Sequence, residues 1–226
     1  MREALVQSDE GVTLVGAGEL APGALAKALA RAPRLVAADG GAERALAAGH
    51  LPELVIGDFD SLGAAARAAL GPGRLHHIAE QETTDFDKAL RSVAAPFVLA
   101  VGFTGARLDH TLGAFDVLAR HPERRVLLIG AEDVVFLAPP RLEMALAEGT
   151  RLSLYPLGAV EGSSAGLRWP IDGIGFAPGR MSGLSNRVSA GPVRLSLSAP
   201  RMLAILPAAA LDAVLAGLCA APAWSG

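Results

Sequence analysis

Short, almost wholly apolar runs alternate with stretches of helical periodicity through roughly the first 138 residues. The runs at 12–15, 35–38, 54–56, 75–78, 97–101 and 126–129 read as strands, and the segments 22–31, 42–48, 63–70, 85–93 and 109–120 read as helices. Pro22 suits a helix start, and Thr84 or a neighbour suits the cap of the helix opening near Asp85. Strands this apolar, separated by helices, predict a mostly parallel sheet covered on both faces, a Rossmann-like α/β domain over residues 1–138. Beyond that point shorter runs at 142–146, 151–155, 193–197 and 202–206 are punctuated by Gly and Pro. They predict a smaller antiparallel β-sandwich or barrel over residues 139–226, closed by a helix near 208–218. The sequence has no internal repeat and no low-complexity linker.

In such a sheet the chemistry belongs just beyond the carboxyl ends of the strands, and acidic residues cluster there. Asp58-Phe59-Asp60 follows the run 54–56, Asp39-Gly40-Gly41 follows 35–38, and Asp85 and Asp109 open the next helices. Paired carboxylates at a strand end repel each other unless a cation or a proton lies between them. Oxygen ligands without His or Cys partners suit a hard ion such as Mg2+, which commonly also holds substrate phosphates. Taken singly, Asp39, Asp85 and Asp109 also read as helix caps. The histidines form no ligand set: His76 and His77 sit side by side in a strand and point to opposite faces. His110 is of interest because it adjoins Asp109.

Gly16-Ala17-Gly18 could bring backbone close to phosphates, although the third glycine, Gly23, is misplaced for a dinucleotide fingerprint and there is no Walker A sequence. Of 20 basic residues only Lys27 and Lys88 are lysines, so Lys88, directly after Asp85-Phe86-Asp87, stands out as a phosphate ligand or a helix-surface residue. Trp169, in the Gly-rich half, reads more readily as sandwich core than as an aromatic platform.

Composition narrows the function classes. A net charge of −3 argues against generic nucleic-acid binding, which needs a basic face. The lone Cys219 allows no internal disulfide, and no segment reads as a signal peptide or a membrane span, so the expectation is a cytoplasmic protein.

Taken together, the segments 38–42, 52–61, 81–90, 105–113, 153–157, 166–170 and 183–186 resemble the thiamine pyrophosphokinase family in content, order and spacing. Glu82 and the single glycine before Arg107 depart from the usual pattern without removing a carboxylate. The resemblance implies transfer of a pyrophosphoryl group from ATP to thiamine, in a homodimer whose sites lie between subunits. It implies Asp58, Asp60 and Asp85 as holders of Mg2+ and polyphosphate, with Asp39 and Asp109 lining the same cleft. Gly16, Gly18, Gly40, Gly41, Lys88, Thr104, Arg107 and His110 fall on the ATP side, and Gln81, Trp169, Ser185 and Asn186 on the thiamine side. Three other readings stay open: a pterin pyrophosphokinase, a Mg-dependent phosphohydrolase with an aspartate nucleophile, and a non-catalytic thiamine-binding protein.

Overall fold

The computed structural model describes residues 4–60, 62–105 and 107–225. Ser61 and Ala106, which fall within the motif segments above, lie outside the described residues. The fold is mixed α/β, and the chain divides into two compact units, 1–117 with 128–131, and 118–127 with 132–226.

The first unit contains β1 (Val6–Gln7), β2 (Val12–Val15), α1 (Ala24–Leu29), β3 (Arg34–Ala38), α2 (Gly41–Ala47), β4 (Leu54–Gly57), α3 (Ala64–Leu70), β5 (Leu75–His77), α4 (Asp85–Arg91), β6 (Val93–Ala94) and β7 (Val98–Val101). The division itself falls within α5 (Leu108–Arg120) and β8 (Val126–Ile129). Strands β7, β2, β3, β4 and β5 pair in that order, all parallel. Every residue of β2 and β7 is buried, which is why these segments are apolar throughout rather than alternating. The order runs β3, β4, β5 to one side of β2 and β7 to the other, so the chain reverses direction of travel between β2 and β7. A crevice at such a reversal is the usual ligand site of parallel sheets.

Helix α4 forms where the capping chemistry asks for it. Thr84 has extended backbone, and its Oγ1 accepts the Asp87 N–H at 3.3 Å. Asp85 and Asp87 occupy the first turn and Lys88 and Arg91 the last, matching the helix dipole. Helix α1 starts at Ala24, later than Pro22, because Gly23 takes a left-handed φ of 72° that breaks the helical path.

The second unit is antiparallel: β9 (Asp133–Leu137), β10 (Arg141–Met144), β11 (Arg151–Pro156), β12 (Gly162–Ala165), β13 (Gly183–Arg187), β14 (Val193–Leu197) and β15 (Met202–Pro207), followed by α6 (Leu211–Ala220). They form two sets, β9-β15-β11-β13 and β10-β14-β12. β10 and β14 alternate buried and exposed residues, as half-buried strands do. Arg125 donates to the carbonyls of Leu218 at 3.0 Å and Ala221 at 2.9 Å, satisfying acceptors that the end of α6 leaves open. Five strands have no counterpart among the predicted runs: β1, β6, β9, β12 and β13. The first two are two residues long. β12, Gly-Ser-Ser-Ala, and β13, Gly-Leu-Ser-Asn-Arg, are end strands of their sets with little apolar content to betray them.

Two glycines test this packing in opposite directions. A Cβ on Gly41 would sit 2.1 Å from the Val15 carbonyl oxygen, so the start of α2 lies against the end of β2 only because that atom is missing. Gly41→Ala is therefore expected to cost roughly 1–3 kcal/mol of stability. Gly113, inside α5, has open space around its Cβ position, and Gly113→Ala should gain about 0.5–1 kcal/mol. Denaturant midpoints of the two variants check the sign of each.

Candidate active site

The ends of β3 and β4 bring three carboxylates together. Parallel register pairs Ala38 with Ile56, so the residues that follow, Asp39 on one strand and Gly57-Asp58 on the other, emerge as neighbours. The Asp39 N–H extends the ladder by donating to the Ile56 carbonyl at 2.9 Å. Its backbone then turns into a left-handed conformation, φ 40°, and its carbonyl accepts the Ala42 N–H at 3.1 Å as α2 begins. Gly57 faces the Asp39 side chain so closely that a Cβ there would meet the Asp39 Cβ at 2.8 Å. Beyond Asp58, Phe59 also adopts a left-handed conformation, φ 63°, with its ring buried. Arg67 lies 5.6 Å from the centre of that ring and also donates to the Phe59 carbonyl. The reversal aims the Asp60 N–H at Asp58 Oδ1, 3.3 Å away. One oxygen from each of Asp39, Asp58 and Asp60 lies within 4.8 Å of the other two.

Asp85 and Lys88 border this group. Lys88 is 2% exposed, yet its Nζ lies 3.1 Å from Asp85 Oδ1 and 3.8 Å from Asp58 Oδ2. Gln81 donates from Nε2 to the same Asp58 Oδ2 at 2.9 Å. These contacts separate the two carboxylates electrostatically. Asp58 is held below the ordinary aspartate range, first by the Gln81 hydrogen bond, then by the Asp60 N–H and, more weakly, by Lys88. Asp85 is pushed above it, chiefly by burial, with Asp39 and Asp58 adding repulsion and Lys88 opposing. Among the residues expected to hold a metal, Asp58 and Asp60 therefore meet Asp39, whereas the shortest contact of Asp85 is to Lys88.

The other expected nucleotide residues have different surroundings. The amides of Gly16 and Gly18 donate to Val101 at 2.8 Å and Gly102 at 2.9 Å. A Cβ at either glycine would lie 2.6 Å from the Gly102 carbonyl, so both serve the close approach of the loops after β2 and β7. Gly40 precedes α2 and Gly41 is its first residue, both buried. Thr104 is half-buried, and the Gly105 N–H after it donates to Thr111 Oγ1 at 3.3 Å. Arg107 grips Asp109 through two bonds, of 3.2 and 2.6 Å, with both side chains about two-thirds exposed, and His110 is exposed beside them. Asp109 thus sits in a surface ion pair with Arg107 and is not one of the three converging carboxylates.

In the second unit Trp169 corrects an expectation. It is 52% exposed rather than core, with the Arg168 guanidinium 5.2 Å from the centre of its ring. Its backbone is held by the buried Asn186, whose Nδ2 donates to the Trp169 carbonyl at 2.7 Å and whose Oδ1 accepts the Trp169 N–H at 3.3 Å. Asn186 Oδ1 also takes the Arg187 N–H at 2.8 Å, so its amide is committed to holding the strand and the Trp169 loop together. Ser185 is exposed in a left-handed conformation, φ 59°, with its N–H bonded to Ser153 Oγ at 3.0 Å. The close approach at Gly57, the left-handed backbone of Phe59 and the burial of Lys88 carry no local signal in the sequence. The rarity of lysine was the one signal that pointed toward Lys88.

Residues 25–128, which include the Asp39–Asp58–Asp60 group, Asp85 and Lys88, match the family model of the thiamin pyrophosphokinase catalytic domain. Through this stretch the chain is similar to the thiamine pyrophosphokinase family. Thiamine pyrophosphokinase 1 of Oryza sativa subsp. japonica is 27% identical over 167 residues, covering 65% of this chain and 63% of that protein. The matched stretch thus spans a little under two thirds of that relative's length. Among solved structures, a Lactobacillus plantarum protein superposes with a TM-score of 0.73 at 26% identity, covering 88% of this chain and 98% of that one. The thiamine pyrophosphokinase of Bacillus subtilis gives 0.73 at 23% identity over the same shares, and at that identity supports the fold alone. Among the described residues no helix is long and apolar enough to cross a membrane.

In carboxyl-carbon NMR titrations Asp58 should titrate below the ordinary 3.8 and Asp85 above it. Asp85 therefore binds its proton more tightly folded than unfolded, and its ionisation lowers stability as pH rises from its unfolded to its folded value. Asp58 has the opposite sign, and its contribution is lost as pH falls through its folded value. Because Lys88 depresses both, Lys88→Met should move both midpoints upward. Midpoints that stay put would show that the lysine does not reach these groups.

Proposed function

We propose that this chain transfers the pyrophosphoryl group of ATP to the hydroxyethyl oxygen of thiamine, giving thiamine diphosphate and AMP. The observation that carries the reading is the coincidence of the family match over 25–128 with the Asp39–Asp58–Asp60 group at the strand ends. In the reaction the alcohol oxygen forms a bond to the β-phosphorus, the bond from that phosphorus to the bridging oxygen of AMP breaks, and AMP leaves with the electron pair. The hydroxyl proton passes to a carboxylate, for which we assign Asp85, since burial makes it a better proton acceptor than an ordinary aspartate.

Three oxygens within 4.8 Å of one another, with no soft ligand among them, fit a hard divalent cation. We assign Mg2+ to Asp58 and Asp60, with Asp39 completing the set. The ion supplies charge neutralisation on the polyphosphate. On the nucleotide side we place Gly40, Gly41, Thr104, Arg107 and His110. The Arg107 fork, now on Asp109, matches a phosphate equally well. Gly16 and Gly18 shape the neighbouring loop. Residues 1–138 form the Rossmann-like ATP- and metal-binding part of this reading. Residues 139–226 form a β-sandwich that serves thiamine binding and dimerisation. We assign Gln81, Trp169 and Ser185 to thiamine recognition, with Asn186 holding the Trp169 loop in place. The reading includes a cytoplasmic homodimer with each site shared between subunits.

Incubation with ATP, Mg2+ and thiamine should yield AMP and thiamine diphosphate in equal amounts by mass analysis. ADP with thiamine monophosphate would sink the assignment of the bond broken. Asp58→Asn and Asp60→Asn should each lower turnover by at least ~100-fold, since these charges act on the polyphosphate in the transition state.

A shared site makes a second, independent demand. Mixing an Asp58→Asn chain with a Trp169→Ala chain under subunit exchange should restore about a quarter of wild-type activity, because half the dimers are mixed and each of those holds one intact site. Mixed dimers seen by mass with no gain over the separate variants would place each site within one chain.

A further inference from the structure

Lys88 is the most enclosed charged side chain at the site, 2% exposed, and the partners recorded for its ammonium are carboxylates: Asp85 at 3.1 Å and Asp58 at 3.8 Å. A buried ammonium so placed has little access to an incoming polyphosphate. It does reach Asp58, one of the three residues whose oxygens converge. A cation bound at about 2 Å from Asp58 Oδ2 would lie within roughly 6 Å of the Lys88 charge.

We propose that Lys88 is a positioning residue, an internal cation that holds the Asp58 and Asp85 carboxylates in place and opposes the metal electrostatically, rather than a phosphate ligand of ATP. The inference rests on the metal-site reading above. Lys88 lets Asp58 and Asp85 stay close while charged, and it weakens the hold of the site on a divalent ion. An ion held less tightly leaves with product more readily. Even at the dielectric of water, a single charge facing a double charge across roughly 6 Å weakens binding by about tenfold.

The test is a titration with Mn2+ alone, following free ion by electron paramagnetic resonance at low ionic strength without nucleotide. It compares wild type, Lys88→Met and Lys88→Arg, with folding checked by circular dichroism. Lys88→Met should bind Mn2+ at least about tenfold more tightly, and Lys88→Arg should bind it as wild type does. Binding of metal-free ATP, by equilibrium dialysis, should be the same in all three. If Lys88→Met does not fold, Lys88→Gln keeps a polar head in the cavity and carries the same expectation. Unchanged or weaker Mn2+ binding in the neutral variants overturns the proposal, since a merely structural lysine would loosen the site. So does a tenfold loss of ATP affinity, the mark of a phosphate ligand. Failure of wild type to bind Mn2+ removes the metal-site reading and this inference with it. Detection of ADP in the product assay bears on the reaction alone.

Discussion

Carboxylate crowding at the ends of β3 and β4 governs this structure. Asp39, Asp58 and Asp60 each place an oxygen within 4.8 Å of the other two, and Asp39 and Asp58 both repel a charge on Asp85, a repulsion that disfavours crowding unless it is compensated. The nearby donors offset it piece by piece: the Gln81 amide and the Asp60 N–H on Asp58, and the Lys88 ammonium between Asp58 and Asp85.

The backbone carries a second share of the cost. Asp39 and Phe59 both sit at positive φ, a conformation that an aspartate tolerates and a phenylalanine rarely adopts. Such residues cost on the order of 1–3 kcal/mol each and persist where their surroundings over-determine them. Here the surroundings are rigid. Asp39 is tied into the β3–β4 ladder, and the Phe59 ring is buried with Arg67 bound to its carbonyl. The missing Cβ of Gly57 lets the Asp39 side chain come close. Strand-end geometry, rather than loop flexibility, sets where the carboxylates point.

The sequence made the parallel strands legible because burial on both faces demands unbroken apolar runs, and β2 matches its expected range residue for residue. It concealed β12 and β13 because an end strand with small or polar side chains carries neither period nor hydrophobicity. At the site, Asp58 and Asp60 were legible from spacing alone. Asp39 joins them only through the Ala38–Ile56 register, a long-range fact that no local pattern encodes. Trp169 misled because a large aromatic residue in a Gly-rich segment suggests core, whereas the buried Asn186 fixes the Trp169 backbone and leaves the ring half-exposed. Gly16 and Gly18 suggested phosphate contact, and in the fold their amides donate to Val101, the last residue of β7, and to Gly102 after it.

One lysine serves two carboxylates that end up with opposite tendencies, and burial makes the difference. Asp58 receives a full hydrogen bond from Gln81 besides the more distant Lys88 charge, and its desolvation is too slight to reverse them. Asp85 is closer to Lys88 but loses more by leaving water than the ion pair returns. An ionised Asp58 is suited to a cation, and an Asp85 with raised proton affinity is suited to take a proton from an alcohol. Environments that drive neighbouring carboxylates apart are how one site acquires distinct acid–base and electrostatic roles. The same reasoning ties the two functions together. Any change that exposes Asp85 further, beyond the 36% of its side chain that already meets water, would bring its proton affinity down toward that of an ordinary aspartate. Its partial burial beside the enclosed Lys88 thus sets that affinity as much as the charges around it do.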